Sequence, residues 1–134
     1  MIEEALVSRL VADPTVAGLA GDRIFPLLIP QALYAEASRQ PCLVYQRTST
    51  DTDATFCETI GLRATQIQID AYARRYQEAR ELGRAAREAL TDFRGDVSGL
   101  HIDRVTLANE FDGLDEEPGL YRRSLTFLVW FTEV

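Results

Sequence analysis

The sequence predicts an α+β fold: a two-layer sandwich with a four-stranded, mainly antiparallel sheet and helices packed on one face, in the order α-β-β-α-β-β. Three observations lead there. The side-chain period switches from two to 3.6 at residue 75, where a half-apolar strand gives way to an amphipathic helix. A strand pair precedes that helix and another follows it, and antiparallel sheets with one wet face read as alternating strands of this kind. The chain has 134 residues, 46% hydrophobic and 26% charged, with a mean hydropathy of −0.12. That is enough for one core without staples, so residues 1–134 are expected to form a single domain.

The elements follow in order. In residues 2–12, Ile2, Leu6 and Leu10 line one stripe with Ala5, the spacing of a short amphipathic helix. Asp13-Pro14 stops it. Asp13 is then placed to cap a second short helix with Pro14 at its first position, running through Val16 and Leu19 to Gly21. Arg23–Pro30 carries prolines at 26 and 30 and is expected to be extended or irregular. Residues 31–41 are a polar connector.

Residues 42–48 read as the first strand and 49–61 as a long polar loop. Residues 62–74 read as the second strand. There Ile67, Ile69, Ala71 and Ala73 share one face, and Gln66, Gln68, Asp70 and Tyr72 share the other. Over 76–93, Tyr76, Ala79, Gly83, Ala86, Leu90 and Phe93 recur at helical spacing, and their small size lets the helix sit close on a sheet. Gly95 is the expected stop. Residues 100–109 read as the third strand, 110–119 as a turn-rich acidic loop and 120–133 as the fourth strand. In that strand Leu125, Phe127, Val129 and Phe131 face inward, and Ser124, Thr126, Leu128, Trp130 and Thr132 face outward.

Charge narrows the function classes. The net charge is −7, and all 14 bases are arginines. Nucleic-acid affinity comes mainly from neutralising phosphates, so an acidic chain is a poor nucleic-acid wrapper. It does suit a protein that lets DNA pass without sticking. Arg74 to Arg94 holds six arginines, but Glu78, Glu81, Glu88 and Asp92 lie among them, which reads as a solvated mixed-charge face. No apolar run approaches a membrane span, and Met1-Ile2-Glu3-Glu4 lacks the basic start of a secretory leader. Cys42 and Cys57 are expected as free thiols.

Catalytic and metal constellations are scarce. The one histidine, His101, has Ser98 and Asp103 near it in sequence only, and a triad needs its members to converge in space. Asp51-Thr52-Asp53 opens like a calcium loop, but Thr55, Phe56 and Leu62 stand where the pattern needs an acid or amide, Gly and Glu. No CxxC, HExxH or phosphate-cradling glycine motif is present. No enzyme activity, metal or cofactor is expected. Two features remain as interaction candidates. One is the 49–61 loop with its apolar Phe56 and Ile60. The other is the outer face of the last strand, where Leu128 and Trp130 stand on the expected polar side.

Several stretches together resemble a known family. They are the opening Met1-Ile-Glu-Glu-Ala-Leu with Ala12-Asp-Pro-Thr-Val-Ala-Gly-Leu-Ala-Gly-Asp-Arg-Ile-Phe-Pro26, then Gln40-Pro-Cys-Leu-Val-Tyr45, Ile67-Gln-Ile-Asp-Ala-Tyr72, Glu78-Ala-Arg-Glu-Leu through Leu90, and Gly119-Leu-Tyr-Arg-Arg-Ser-Leu-Thr-Phe127 with Trp130. In this order and spacing the chain resembles the tail-completion (tail terminator) family of long-tailed, siphovirus-type phages and gene transfer agents. The resemblance implies an α+β subunit of a hexameric ring. The ring would cap the tail tube and join it to the head-completion or stopper protein, with DNA passing through the bore unbound. Implied partners are further copies of the chain, the major tail tube protein and the head-completion protein, with no membrane. The implied place is the tail–head joint of the virion, reached from the host cytoplasm during assembly. The family supplies no catalytic residues.

Rival readings are a neck adaptor or stopper of the same joint, a small hydrolase with dispersed carboxylates, and a small acidic binding module such as a DNA mimic. A ring of chains at −7 each repels itself unless charges pair across subunit borders. Arg122 and Arg123, on opposite faces of the last strand, are the expected donors to a neighbour's acids. Asp112, Asp115, Glu116 and Glu117 are then left to line or rim the bore.

Overall fold

The computed structural model describes residues 2–21, 23–27, 41–51, 63–97, 99–115 and 120–133. Among these residues the elements run α1 (Ile2–Ala12), α2 (Pro14–Ala20), β1 (Ile24–Pro26), β2 (Cys42–Asp51), β3 (Arg63–Ala73), α3 (Tyr76–Leu90), β4 (Gly95–Val97), β5 (Leu100–Asp115) and β6 (Leu120–Glu133). The strands form one six-stranded sheet in the order β1-β2-β3-β6-β5-β4. β1 runs parallel to β2, and every other pair is antiparallel. The sheet is therefore mixed and curls into a half-barrel. It is not the four-stranded, mainly antiparallel sandwich in α-β-β-α-β-β order that the sequence predicts.

The differences have local causes. β1 and β4 are three residues each, too short to show a two-residue alternation. β5 runs sixteen residues, through the first half of the expected acidic loop. Its register shifts between Ile102 and Arg104 and again between Leu107 and Asn109. Each extra residue flips the alternation, so the strand does not read as one in sequence. β2 likewise continues to Asp51 past a shift between Arg47 and Ser49.

The helices share one core with the sheet. Ile2, Leu6 and Leu10 of α1, Val16 of α2 and Leu82, Ala86 and Leu90 of α3 pack with Leu43, Ile67, Ile69, Val105, Leu125, Phe127 and Val129. Asp13 caps α2 as expected: its carboxylate accepts from the N–H groups of Thr15 (3.0 Å) and Val16 (3.1 Å), with Pro14 opening the helix. α3 ends at Leu90, three residues before the expected end. Asp92 takes a left-handed φ of 61° and donates its N–H to the Val105 carbonyl at 2.9 Å. Gly95, the expected stop, instead opens β4. Arg9 donates Nε to the Ala89 carbonyl at 3.1 Å and lies 4.9 Å from the Phe93 ring centre, so α1 satisfies the carbonyl end of α3.

The opposite face of the sheet is not uniformly wet. Cys42, Val44 and Leu120 form a second small core there with Phe25 and Tyr72 against it. Asp70 and Ser124, expected to face solvent, are buried. Asp70 accepts from the Gln68 amide at 3.0 and 3.2 Å.

Candidate assembly surfaces

The best-built polar cluster joins α3 to the β5–β6 hairpin. Arg123 lies opposite Asp112 in the ladder. Its Nε donates to Asp112 Oδ1 at 2.7 Å and its Nη2 to Oδ2 at 3.0 Å, a two-pronged fork. Nη1 reaches Glu110 Oε1 at 3.3 Å, and Arg87 of α3 reaches Glu110 Oε2 at 3.1 Å. The Tyr76 hydroxyl donates to Asp112 Oδ2 at 2.7 Å. These bonds, above all the fork from Arg123, hold the Asp112 carboxyl below the usual aspartate range, and Asp112 in turn holds the Arg123 guanidinium higher. The cluster is possible because position 83 is glycine. A Cβ there would stand 2.8 Å from both Cγ and Cδ of Arg123, so the arginine stem lies across the bare helix backbone.

This geometry changes two expectations. Arg123 is committed within its own chain and is not a donor to a neighbour. Asp112 is not an uncompensated acid. Both follow from β5 extending past residue 109, which sets Asp112 beside Arg123 instead of in a loop. Arg122 faces the other side of β6, where its guanidinium carbon lies 5.9 Å from the Phe111 ring centre. Glu116 and Glu117, and Phe56 and Ile60, lie outside the described residues. Asp115 is described as the last ladder residue of β5, opposite Leu120.

Leu128 and Trp130 do stand on the face away from the helices, opposite Gln66 and Ala64 on one side and Thr106 and Arg104 on the other. They are half-buried by these neighbours. The larger exposed apolar groups sit at the far end of the hairpin: Phe111 (45% exposed), Leu114 (52%) and Tyr76 (43%). The sequence reading places Phe111 and Leu114 in a loop. Allowing one extra residue at Ala108 restores an alternation from Leu107 through Glu110, Asp112 and Leu114, and that signal would have placed them on a strand.

Chemistry elsewhere is sparse. Among the described residues no group of three or more His, Cys, Asp or Glu could hold a metal. His101 Nδ1 is 2.6 Å from Asp96 on the adjoining strand β4. Burial pushes the Cys42 thiol up to about 11, against a smaller downward pull from Arg23, so it is not a nucleophile at neutral pH. An open groove of about 550 Å³ between α2 and α3 is lined by Pro14, Leu19, Arg84, Ala85 and Glu88. Its Arg84 and Glu88 are bonded to each other at 3.1 Å, which makes it a seam between helices more than a ligand site. No described helix is long and apolar enough to cross a membrane.

The sequence pattern of the family described as "Tail completion protein gp17" matches residues 4–132. The chain belongs to the tail completion protein gp17 family. It is a structural protein of a phage-type tail, and its place is the virion. No curated protein matches this tail completion protein in sequence at a significant level. In fold it is similar to a chain from the virion of a native gene transfer agent particle, with a TM-score of 0.72, covering 97% of this chain and 93% of that one at 17% identity. At that identity the likeness speaks for the fold alone.

Proposed function

We propose that this tail completion protein forms a ring that caps the finished tail tube and joins it to the head-completion complex, leaving a channel for DNA. The observation that carries the reading is family membership across residues 4–132. A tube built of repeated subunits ends in a ring of equivalent sites. A small protein that completes such a tube does so most economically as a matching ring of copies. Six copies, the major tail tube protein and the head-completion protein are the stoichiometry and partners proposed. Leu128, Trp130 and Arg122 remain proposed contacts, together with Phe56 and Ile60. Asp115, Glu116 and Glu117 remain the proposed rim or bore acids, because DNA slides past groups that offer its phosphates no counter-charge.

Light scattering on the purified protein, alone and with tail tubes, tests the ring. The expected mass is about six times the 15.0 kDa of the chain, with electron micrographs showing a ring at one end of each tube. Monomers that leave tube ends bare would refute it. Reversing Asp115, Glu116 and Glu117 to Arg should leave the ring intact and slow DNA ejection. Normal ejection would remove these acids from the bore, and loss of the ring would move them to the subunit border.

A further inference from the structure

We infer that the outer edge of β5, from Thr106 to Leu114, receives the 46–51 segment of β2 from a second copy of this chain. The inference rests on the ring reading above and assigns the strands that would make it.

The first observation is an open edge. β4 covers β5 only at Leu100–Ile102, and the Asp92 N–H takes the Val105 carbonyl. Beyond Val105, no described segment pairs with the outer side of β5. A long bare edge is a template for strand addition, and soluble proteins usually blunt it with proline or cover it. β5 contains no proline. The other end of the sheet differs. There β1 covers β2 at Leu43–Tyr45, Pro26 blunts β1 itself, and β2 continues uncovered among the described residues from Gln46 to Asp51.

The second observation is the direction of the backbone groups. Along a strand, side-chain face and ladder side are coupled. Val105 has its side chain on the helix face and its carbonyl turned outward. Leu107 therefore also turns its N–H and C=O outward. Past the extra residue at Ala108 so do Glu110, Asp112 and Leu114, whose ladder partners Leu125, Arg123 and Tyr121 are on the helix face. On β2, Leu43 and Tyr45 turn outward to meet Arg23 and Leu27. Arg47 follows, and past the extra residue Thr48 so does the backbone of Thr50.

The third observation selects the occupant. β5 is antiparallel to β6, β6 to β3 and β3 to β2, so β5 and β2 run in opposite directions. A second copy set beside the first, in the same orientation and with its helices on the same face, presents β2 antiparallel to β5. That gives the better ladder geometry. The two edges are different surfaces at opposite ends of one sheet, so the contact is head-to-tail, the kind that closes into a ring. Leu114 and Phe111 stand on opposite faces beside this edge and are exposed, and each would gain apolar cover from the incoming strand.

Leu114→Pro tests it. Proline there removes an outward N–H and leaves the β6 ladder bonds in place, and edge strands accept proline. The concentration for half-assembly should rise at least tenfold while the circular-dichroism melt stays two-state. Hydrogen exchange on the unmodified protein is the second measurement, and it covers the case in which the proline variant does not fold. Amides of 106–114 and 46–51 should slow at least tenfold on assembly. A ring that forms with these amides unprotected, or equally well with Leu114→Pro, overturns the edge assignment and leaves the ring reading standing. Protection that appears only when tail tube protein is added assigns the edge to that protein and also overturns it. Unmodified protein that never assembles overturns both.

Discussion

Gly83→Ala separates two opposed effects whose sizes can be worked from the structure. In an exposed helix the change should stabilise, since alanine is favoured over glycine by about 0.8–1 kcal/mol. Here the new methyl would sit 2.8 Å from Cγ and Cδ of Arg123 and 3.2 Å from its Cβ, where carbon atoms prefer about 3.5–4.0 Å. The stem must move by close to an ångström, and it cannot do so while its fork stays on Asp112 and Glu110. Charge-assisted hydrogen bonds are worth about 1.5–3 kcal/mol each when buried. The cluster is partly wet, with side-chain exposures of 17% for Arg123, 23% for Glu110 and 36% for Asp112, so about 2–3 kcal/mol for the whole displacement is the appropriate scale. The net is a loss of roughly 1–2 kcal/mol, or a Tm lower by about 3–10 °C for a chain of this size. In an Arg123→Ala background the obstacle is gone and the same substitution should raise Tm by about 3–5 °C. Thermal melts of the four proteins in this cycle read the sign directly. A Gly83→Ala variant more stable than the parent would refute the close-approach argument.

Three further outcomes follow from the same structure. Phe127→Ala, at a fully buried position, should cost about 3–5 kcal/mol, and Leu90→Ala about 2–5 kcal/mol, in urea unfolding; a loss below 1 kcal/mol at both sites would mean that the α3–sheet core is placed wrongly. Asp112, whose carboxyl is held below the ordinary aspartate value of about 3.9, contributes stability that is full above that value and fades as pH falls through its lower folded-state value. The stability gap between the parent and Asp112→Asn should therefore be widest near pH 6–7 and close below about pH 3, and a gap that does not change with pH would show that the Arg123 fork is idle. Asp13→Ala should lose about 1 kcal/mol through the two uncapped N–H groups of α2, measured by the same urea titration.

The parts of the fold legible in sequence are those whose own side chains determine them. α3 is visible because its buried set, Ala79, Leu82, Gly83, Ala86 and Leu90, repeats on one face while Arg80, Glu81, Arg84 and Glu88 stay out. Only its end is misplaced, because the stop is a bond from Asp92 to Val105 across the fold. β6 is visible because Leu125, Phe127, Val129 and Phe131 alternate without a break. β5 is hidden by its two register shifts, and β1 and β4 by their length. The site is less legible than the fold for a related reason. A helix-surface pair such as Arg84–Glu88 joins neighbours in sequence, whereas the Arg123 cluster joins residues 11, 13 and 47 positions apart. Once the end of β5 is taken for a loop, Asp112 looks free and Arg123 looks available.

The proposed edge also accounts for how a chain of net charge −7 could stand beside copies of itself. Several arginines are already paired at home: Arg123 and Arg87 with Glu110 and Asp112, Arg84 with Glu88, and Arg47 with Glu3. Few strong cations are left over for a neighbour, so a border stitched by arginine–carboxylate pairs is a weaker design than it looks from composition. A backbone ladder carries no net charge and needs none of them. Its opponent is the long-range repulsion of like-charged subunits, which salt screens within about 8 Å at physiological ionic strength. Assembly through the β5 edge should therefore tighten as salt is raised from about 0.01 M, where the screening length is about 30 Å, to 0.15 M. A border dominated by exposed ion pairs would loosen over the same range. Sedimentation velocity at fixed protein concentration distinguishes the two, and dissociation with added salt would return the border to the arginines.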